Sequence, residues 1–370
     1  MAVIKRAELT MVDLKPKVER TDAIQAFVSQ ETPILRLTDA DGNVGTGYSY
    51  TIGSGGPAII SLLRETLLPK LMGREAEEIG GIWQDLLFST HATSVGPITS
   101  LSLACIDTAL WDLRCRRANL PLWRLAGGVK QSVPLYTTEG GWLQLPQEAL
   151  VADAVAMKDA GFTGAKIKIG KPTIAEDRSR LAAVKEAVGD AFRVKVDANQ
   201  SFDLAEAIRR ADMLADVGID WFEEPMRADD IGAHQVLAQR SRVPIAVGES
   251  MYSLSQFKDY LERGACHIVQ ADVARVGGIT PWLKIAHMAE AFNVPVCPHF
   301  LMELHVALVC AVPNAPTLEY IPQLDDVTRK PMNVKNGFAI PSDEPGLGID
   351  WDWEAIGRLS DPGHNVCVTS

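Results

Sequence analysis

The 370 residues, 47% apolar and 22% charged, suffice for a large core and exclude disorder on the scale of the chain. Lys and Arg number 36 against 47 Asp and Glu, a net charge of −11, so the basic footprint that nucleic-acid binding requires is absent. No apolar run reaches the ~18–20 residues of a membrane span, and no apolar leader segment follows the charged start. The six cysteines are scattered without a CxxC pair and are expected to be reduced, in a cytoplasmic protein.

Residues 1–130 are predicted to form an α+β domain. Residues 34–37 and 45–50 flank Asp39-Ala40-Asp41-Gly42-Asn43, a hairpin turn signal. Helices are predicted over 58–68, just after Pro57, and over 100–117, where Leu103, Ile106, Leu110 and Leu113 recur at spacings of three and four. From 131 the texture changes. Short apolar runs at 133–137, 165–169, 193–196, 219–222, 244–247, 267–270, 294–297 and 317–321 alternate with helical stretches. Eight such βα units predict a closed parallel barrel over 131–325. Residues 326–370, interrupted by Pro331, Pro341, Pro345 and Pro362, are expected to pack back onto the N-terminal domain.

The strand ends carry the chemistry. The second run holds Lys166 and Lys168. The third ends at Asp197, the fourth at Glu223, the fifth at Glu249, the sixth at Asp272 and the seventh at His299, and the eighth contains Glu319. In such barrels the C-terminal strand ends form the active site. Asp197, Glu223 and Glu249, evenly spaced 26 residues apart, would repel one another unless a hard divalent cation or the two lysines offset their charge. All-oxygen ligation favours Mg²⁺, with Mn²⁺ as the alternative. Lys166 and Lys168 share the inward face, and each ammonium is expected to depress the pKa of the other, as a catalytic base near pH 7 requires. Asp272 is placed to hold the His299 imidazole. Asn199 has the inward parity of Asp197 and is expected to touch ligand. Lys195, deeper, is expected to pair with a barrel carboxylate, and Glu224 to face outward as a structural group.

Taken together, the motifs resemble the enolase superfamily in its mandelate racemase branch. Ala165-Lys166-Ile167-Lys168-Ile169-Gly170 is similar to that branch's KxK strand. Val196-Asp197-Ala198-Asn199-Gln200, Phe222-Glu223-Glu224-Pro225 and Gly248-Glu249-Ser250 are similar to its metal-ligand motifs, and Asp272 with Arg275-Val276-Gly277-Gly278-Ile279, then Pro298-His299, to its sixth and seventh strands. The similarity continues through Ile106–Asp112 of the cap and 345–349 of the tail. It implies a modified TIM barrel, (β/α)7β, with an α+β capping domain built from the N-terminal region and the tail. It further implies Mg²⁺ on Asp197, Glu223 and Glu249, with Lys168 as one base and Lys166 lowering its pKa and touching the substrate carboxylate. His299, oriented by Asp272, would act from the opposite face, and Glu319 would bond the substrate carboxylate. A homo-oligomer acting on a small carboxylate is implied as well. Branches that lactonise muconate or epimerise dipeptides carry a lysine where this chain has Asp272, which argues against those reactions.

The shared step is removal of a proton α to a carboxylate, giving an enediolate. Loss of a β-hydroxyl then yields a 2-keto-3-deoxy acid, and reprotonation from the other face yields an epimer. The polar segment 14–22 suits a hydroxylated or dicarboxylic ligand, and 136–141 and 298–305 are most like acid-sugar dehydratases of the galactarate/L-talarate type. Dehydration of an aldarate or aldonate is therefore expected, with racemisation of a 2-hydroxy acid as the alternative. Arg20, Tyr50 and Thr138 join Lys166, Asn199 and Glu319 as expected substrate contacts.

Overall fold

The computed structural model describes residues 2–93 and 96–370. The chain opens with β1 (Ile4–Leu14), a two-stranded flap formed by β2 (Arg20–Thr21) and β3 (Ala26–Phe27), and the hairpin β4 (Gln30–Asp39) and β5 (Val44–Tyr48). Strands β1, β4 and β5 form an antiparallel sheet, and the chain's last strand, Val366–Thr369, adds to the outer edge of β1. Asp39 nucleates the hairpin turn, its Oδ1 accepting from the amides of Asp41 and Asn43 at 2.9 and 2.8 Å.

A 22-residue helix, Pro97–Ala118, packs on β5. Pro97 starts it, Asn119 ends it in the left-handed region, and Arg116 and Arg117 sit at its negative end. Gly45 and Gly47 let the two backbones meet: a Cβ on either would lie 2.3 Å from main-chain atoms of Ala109. The helix is buried on nearly all sides because its far side meets the barrel helix Ile279–Ala291.

The barrel strands are β6 (Val133–Thr137), β7 (Gly164–Lys168), β8 (Arg193–Asp197), β9 (Phe222–Glu223), β10 (Ile245–Val247), β11 (Ile268–Val269) and β12 (Leu318–Tyr320). They are parallel, and β12 closes on β6. The seventh strand is reduced to one bridge, Val269 to Val296. Helices follow the first seven strand positions but not the eighth, which is the (β/α)7β arrangement. Side-chain caps fix where several helices begin. Thr173 forms a capping box with Glu176, and Asp203, Asp230 and Ser253 accept from amides of their first turns. The loops above the strands are thereby held to set lengths.

The tail attaches to both the barrel and the N-terminal domain. After the hairpin of β13 (Asn333–Lys335) and β14 (Phe338–Ile340), in which β14 pairs with β6, the chain returns to β1 through β15, the Val366–Thr369 strand. The tail thus packs on the barrel as well as on the N-terminal domain. Beneath the mouth, Tyr136, Trp221, Ala246, Ile268 and Cys297 fill the barrel interior. Lys195 lies among them without the expected carboxylate partner: its Nζ is 4.8 and 4.9 Å from the ring centroids of Tyr136 and Trp221. Burial pulls its pKa down to about 8.

Candidate active site at the barrel mouth

Lys166, Lys168, Asp197, Glu223, Glu249, Asp272, His299 and Glu319 are all buried at the C-terminal ends of the barrel strands. Lys166 Nζ lies 2.7 Å from Glu223 Oε1 and 2.8 Å from Glu319 Oε1, and Lys168 Nζ lies 2.5 Å from Asp197 Oδ2. The two lysines thus already neutralise part of the acidic cluster. Asp197, Glu223 and Glu249 each offer a carboxylate oxygen, and these atoms lie within 4.8 Å of one another. Asp197 Oδ1 is fixed by the Asn199 amide at 2.8 Å and Glu223 Oε2 by the Trp221 indole at 3.1 Å. Glu249 Oε2 is buried without a hydrogen bond, 3.3 Å from His299 Nε2. Three convergent carboxylates, one oxygen of them orphaned, match the donor set of a hard divalent cation.

The charges shift one another in a direction the KxK spacing alone does not give. Burial lowers the Lys168 pKa, and Lys166 adds to this, but Asp197, Glu249 and Glu223 outweigh both and hold it above the ordinary lysine range. Lys166 is raised further still, burial being overcome by Glu223 and Glu319. Mutual depression of the two ammonium groups is therefore not the net effect: each has a carboxylate closer than the other lysine's influence can offset. Glu223 is pushed up to about 7, by burial first and by the neighbouring carboxylates, against Lys166.

The His–Asp pair forms as expected. His299 Nδ1 is 2.9 Å from Asp272 Oδ2, and Asp272 Oδ1 accepts from the amides of Ala274 and Arg275 at 2.8 and 3.1 Å. Burial raises the Asp272 pKa, but His299 and Arg275 overturn this and bring it down to about 2. Glu319 accepts from Thr138 Oγ1 at 2.6 Å and from the Phe300 amide at 2.9 Å, which fixes its orientation toward Lys166.

A cavity of about 100 Å³ lies between these groups and the cap. Lys166, Lys168, Thr138, Asn199, Glu249, His299 and Glu319 line it. Arg20 and Tyr50 do not. Arg20 is buried beside it, bonded to Glu139, Gln323 and the Pro322 carbonyl, and borders a second cavity of about 220 Å³. The Tyr50 hydroxyl is spent on Asp272. Glu224 corrects the outward placement: it lines the cavity, because the strand ends at Glu223 and Glu224 turns through φ +39°. Alternation holds only while the chain stays extended. Asp22, from the polar segment 14–22, also lines the cavity, as do Trp142, Arg275 and Gln25, which escape the sequence reading of roles. Trp142 lies in the loop above β6 with its ring 5.4 Å from Lys168 Nζ. Arg275, legible only as part of a motif, bonds the Glu249 carbonyl at 2.9 Å.

Residues 7–127 match the family model "Mandelate racemase / muconate lactonizing enzyme, N-terminal domain", and 149–355 match "Enolase C-terminal domain-like". The L-talarate/galactarate dehydratase of Salmonella typhimurium is 36% identical over 85% of this chain and 79% of its own. The 3,6-anhydro-alpha-L-galactonate cycloisomerase of Streptomyces coelicolor is 34% identical over 97% and 99%. The crystal structure of L-talarate dehydratase from Polaromonas sp. JS666, complexed with Mg and L-glucarate, superposes with a TM-score of 0.92 at 31% identity over the whole of both chains. No helix among the described residues is long and apolar enough to cross a membrane.

Proposed function

The chain belongs to the mandelate racemase/muconate lactonizing enzyme family of the enolase superfamily, and from that premise we propose that it is an Mg²⁺-dependent acid-sugar dehydratase acting on an aldonate or aldarate. The observation that carries this reading is a carboxylate trio with an acid/base group at each end, Lys168 on Asp197 and His299 beside Glu249. Asp197, Glu223 and Glu249 would hold the ion. Bound there, it supplies positive charge that offsets the carboxylates, so that less negative charge keeps the proton on Lys168, and stabilises the charge developing on the substrate carboxylate.

The remaining work falls to side chains. Lys166 meets the substrate carboxylate, and Glu319 would join it only as the protonated acid, donating its O–H. Lys168 Nζ removes the α-proton. His299 Nε2 gives a proton to the departing β-hydroxyl while Asp272 keeps Nδ1–H in place, so the C–O bond breaks with release of water. The resulting enol tautomerises to the 2-keto-3-deoxy acid. Trp142 and the flap residues Asp22 and Gln25 line the mouth above these groups, where they would limit the access of bulk water.

Incubation with Mg²⁺ and a panel of aldonates and aldarates tests the reading. A semicarbazide-reactive 2-keto acid is expected from a stereochemical subset of the panel, abolished by chelation. The acid/base groups at both ends of the trio also suit racemisation or epimerisation of a 2-hydroxy acid. Solvent deuterium at C2 without keto acid would establish that second reading and sink the first.

A further inference from the structure

The two acid/base groups differ in what holds them. Lys168 is held from within the barrel, by Asp197 on the neighbouring strand and the Trp142 ring. The His299 side is shared with the cap. Tyr50, two residues beyond β5, is fully buried and donates its hydroxyl to Asp272 Oδ2 at 2.7 Å, the same oxygen that lies 2.9 Å from His299 Nδ1. The phenol oxygen in turn accepts from Arg275 Nε at 3.0 Å. The Tyr50 ring packs on Phe300 at 4.7 Å between centroids, and Phe300 stacks on the His299 imidazole at 5.2 Å and 14°. Phe300 has φ +64°, a strained conformation for a bulky side chain that its surroundings must impose, and Phe27 of the flap approaches the same ring at 5.9 Å.

We propose that Tyr50 is a positioning residue through which the cap assembles the His299 acid/base group, while the Lys168 group takes its ion-pair partner from the barrel. The hydroxyl fixes the Asp272 oxygen that orients the imidazole, and the Tyr50–Phe300 stack holds the ring face. Its kinetic consequence rests on the dehydratase or racemase reading. Its structural consequence does not.

Tyr50→Phe removes the hydroxyl and keeps the stack. In histidine-labelled full-length protein, the His299 Nδ1–H proton resonance, identified by its loss in His299→Asn, is expected to shift and to exchange faster with solvent in Tyr50→Phe. An unchanged resonance overturns the proposal whatever the enzyme's reaction. With an active acid sugar, kcat for dehydration is expected to fall at least tenfold with KM within twofold, while deuterium exchange by Lys168 stays within twofold. In a His299→Asn background, Tyr50→Phe should add no further loss. Equal loss on both faces, or a raised KM at unchanged kcat, overturns the proposal in favour of a general structural or substrate-contact role. Should Tyr50→Phe not fold, Phe300→Leu, which removes the stack and leaves the hydroxyl, must show the same one-sided loss. A wild type that gives neither keto acid nor exchange defeats the functional reading, and the proton resonance then decides this proposal alone.

Discussion

His299 and Lys168 contact the same trio at opposite ends, so on the proposed mechanism removing either should leave the chemistry of the other. With His299→Asn, dehydration is expected to drop by about 10²–10⁴-fold, the usual weight of a positioned general acid. Deuterium exchange by Lys168 should survive on substrates presenting their α-proton to it, read by mass spectrometry of recovered substrate. Full dehydration by this variant on every active substrate would remove His299 from the mechanism. Lys168→Ala should reverse the pattern. The residues in these predictions were legible because each is an ionisable group ending an apolar run. Lys195 and Glu224 show where that logic stops. Period-two alternation places Lys195 inward but cannot say that aromatic rings rather than a carboxylate receive it. It fails outright at Glu224, where the chain has left the extended conformation. Tyr50 was legible as a polar residue near the mouth, but its aim at Asp272 depends on how the cap docks, which no local pattern encodes.

Among the elements, the apolar runs marked every barrel strand position, since a buried parallel strand needs apolar side chains on both faces. Their extent was less legible. The seventh run forms a single bridge, Val269 to Val296, and the helix Met302–Ala311 starts a few residues after it. The helix expected over 58–68 is α-helical at Gly56–Leu62 and passes through a π-turn at Leu63–Leu67 before Leu68–Leu71. Pro69, with no N–H to return to the preceding turn, lies just past that turn. The glycines of β5 were legible only as a hairpin feature, yet they set the distance between the cap sheet and its main helix. Gly47→Ala places a Cβ 2.3 Å from the Ala109 amide nitrogen and the Cys105 carbonyl oxygen, both backbone atoms that cannot rotate away. A loss of about 1–3 kcal/mol is expected from overpacking, measured as a lower denaturation midpoint. Unchanged stability would mean that the helix can slide on the sheet.

At the scale of the whole molecule, the proposed function would depend on the cap staying seated on the barrel, and several of the contacts between them are polar and specific. Trp83 donates to the Gly277 carbonyl at 2.8 Å and Trp111 to Thr280 Oγ1 at 3.0 Å, both from cap helices to the loop and helix that follow Asp272. Asp107, on the long cap helix, accepts from the Thr280 amide at 2.9 Å and so caps the barrel helix Ile279–Ala291 from another domain. Gly278 makes room for it: a Cβ there would lie 2.4 Å from Asp107 Oδ2. Burial raises the Asp107 pKa from 3.8 to about 7, against the favourable bonds from Thr280 and Ile279. A carboxyl with a higher pKa folded than unfolded binds its proton preferentially in the folded state. Its effect on stability is therefore most favourable below about pH 4, declines as the pH rises toward 7 and is constant above. Asp107→Asn keeps an acceptor for the Thr280 amide and cannot ionise. The difference in unfolding free energy between the variant and the wild type should thus grow in the variant's favour by an amount on the order of a few kcal/mol between pH 4 and 7.5. Denaturant titrations of both proteins across that range provide the measurement, and parallel pH profiles would show that Asp107 does not titrate there. Because the same loop carries Asp272 and Arg275, loosening this contact above neutrality should reach the His299 side of the site before the Lys168 side, whose ion pair lies within the barrel.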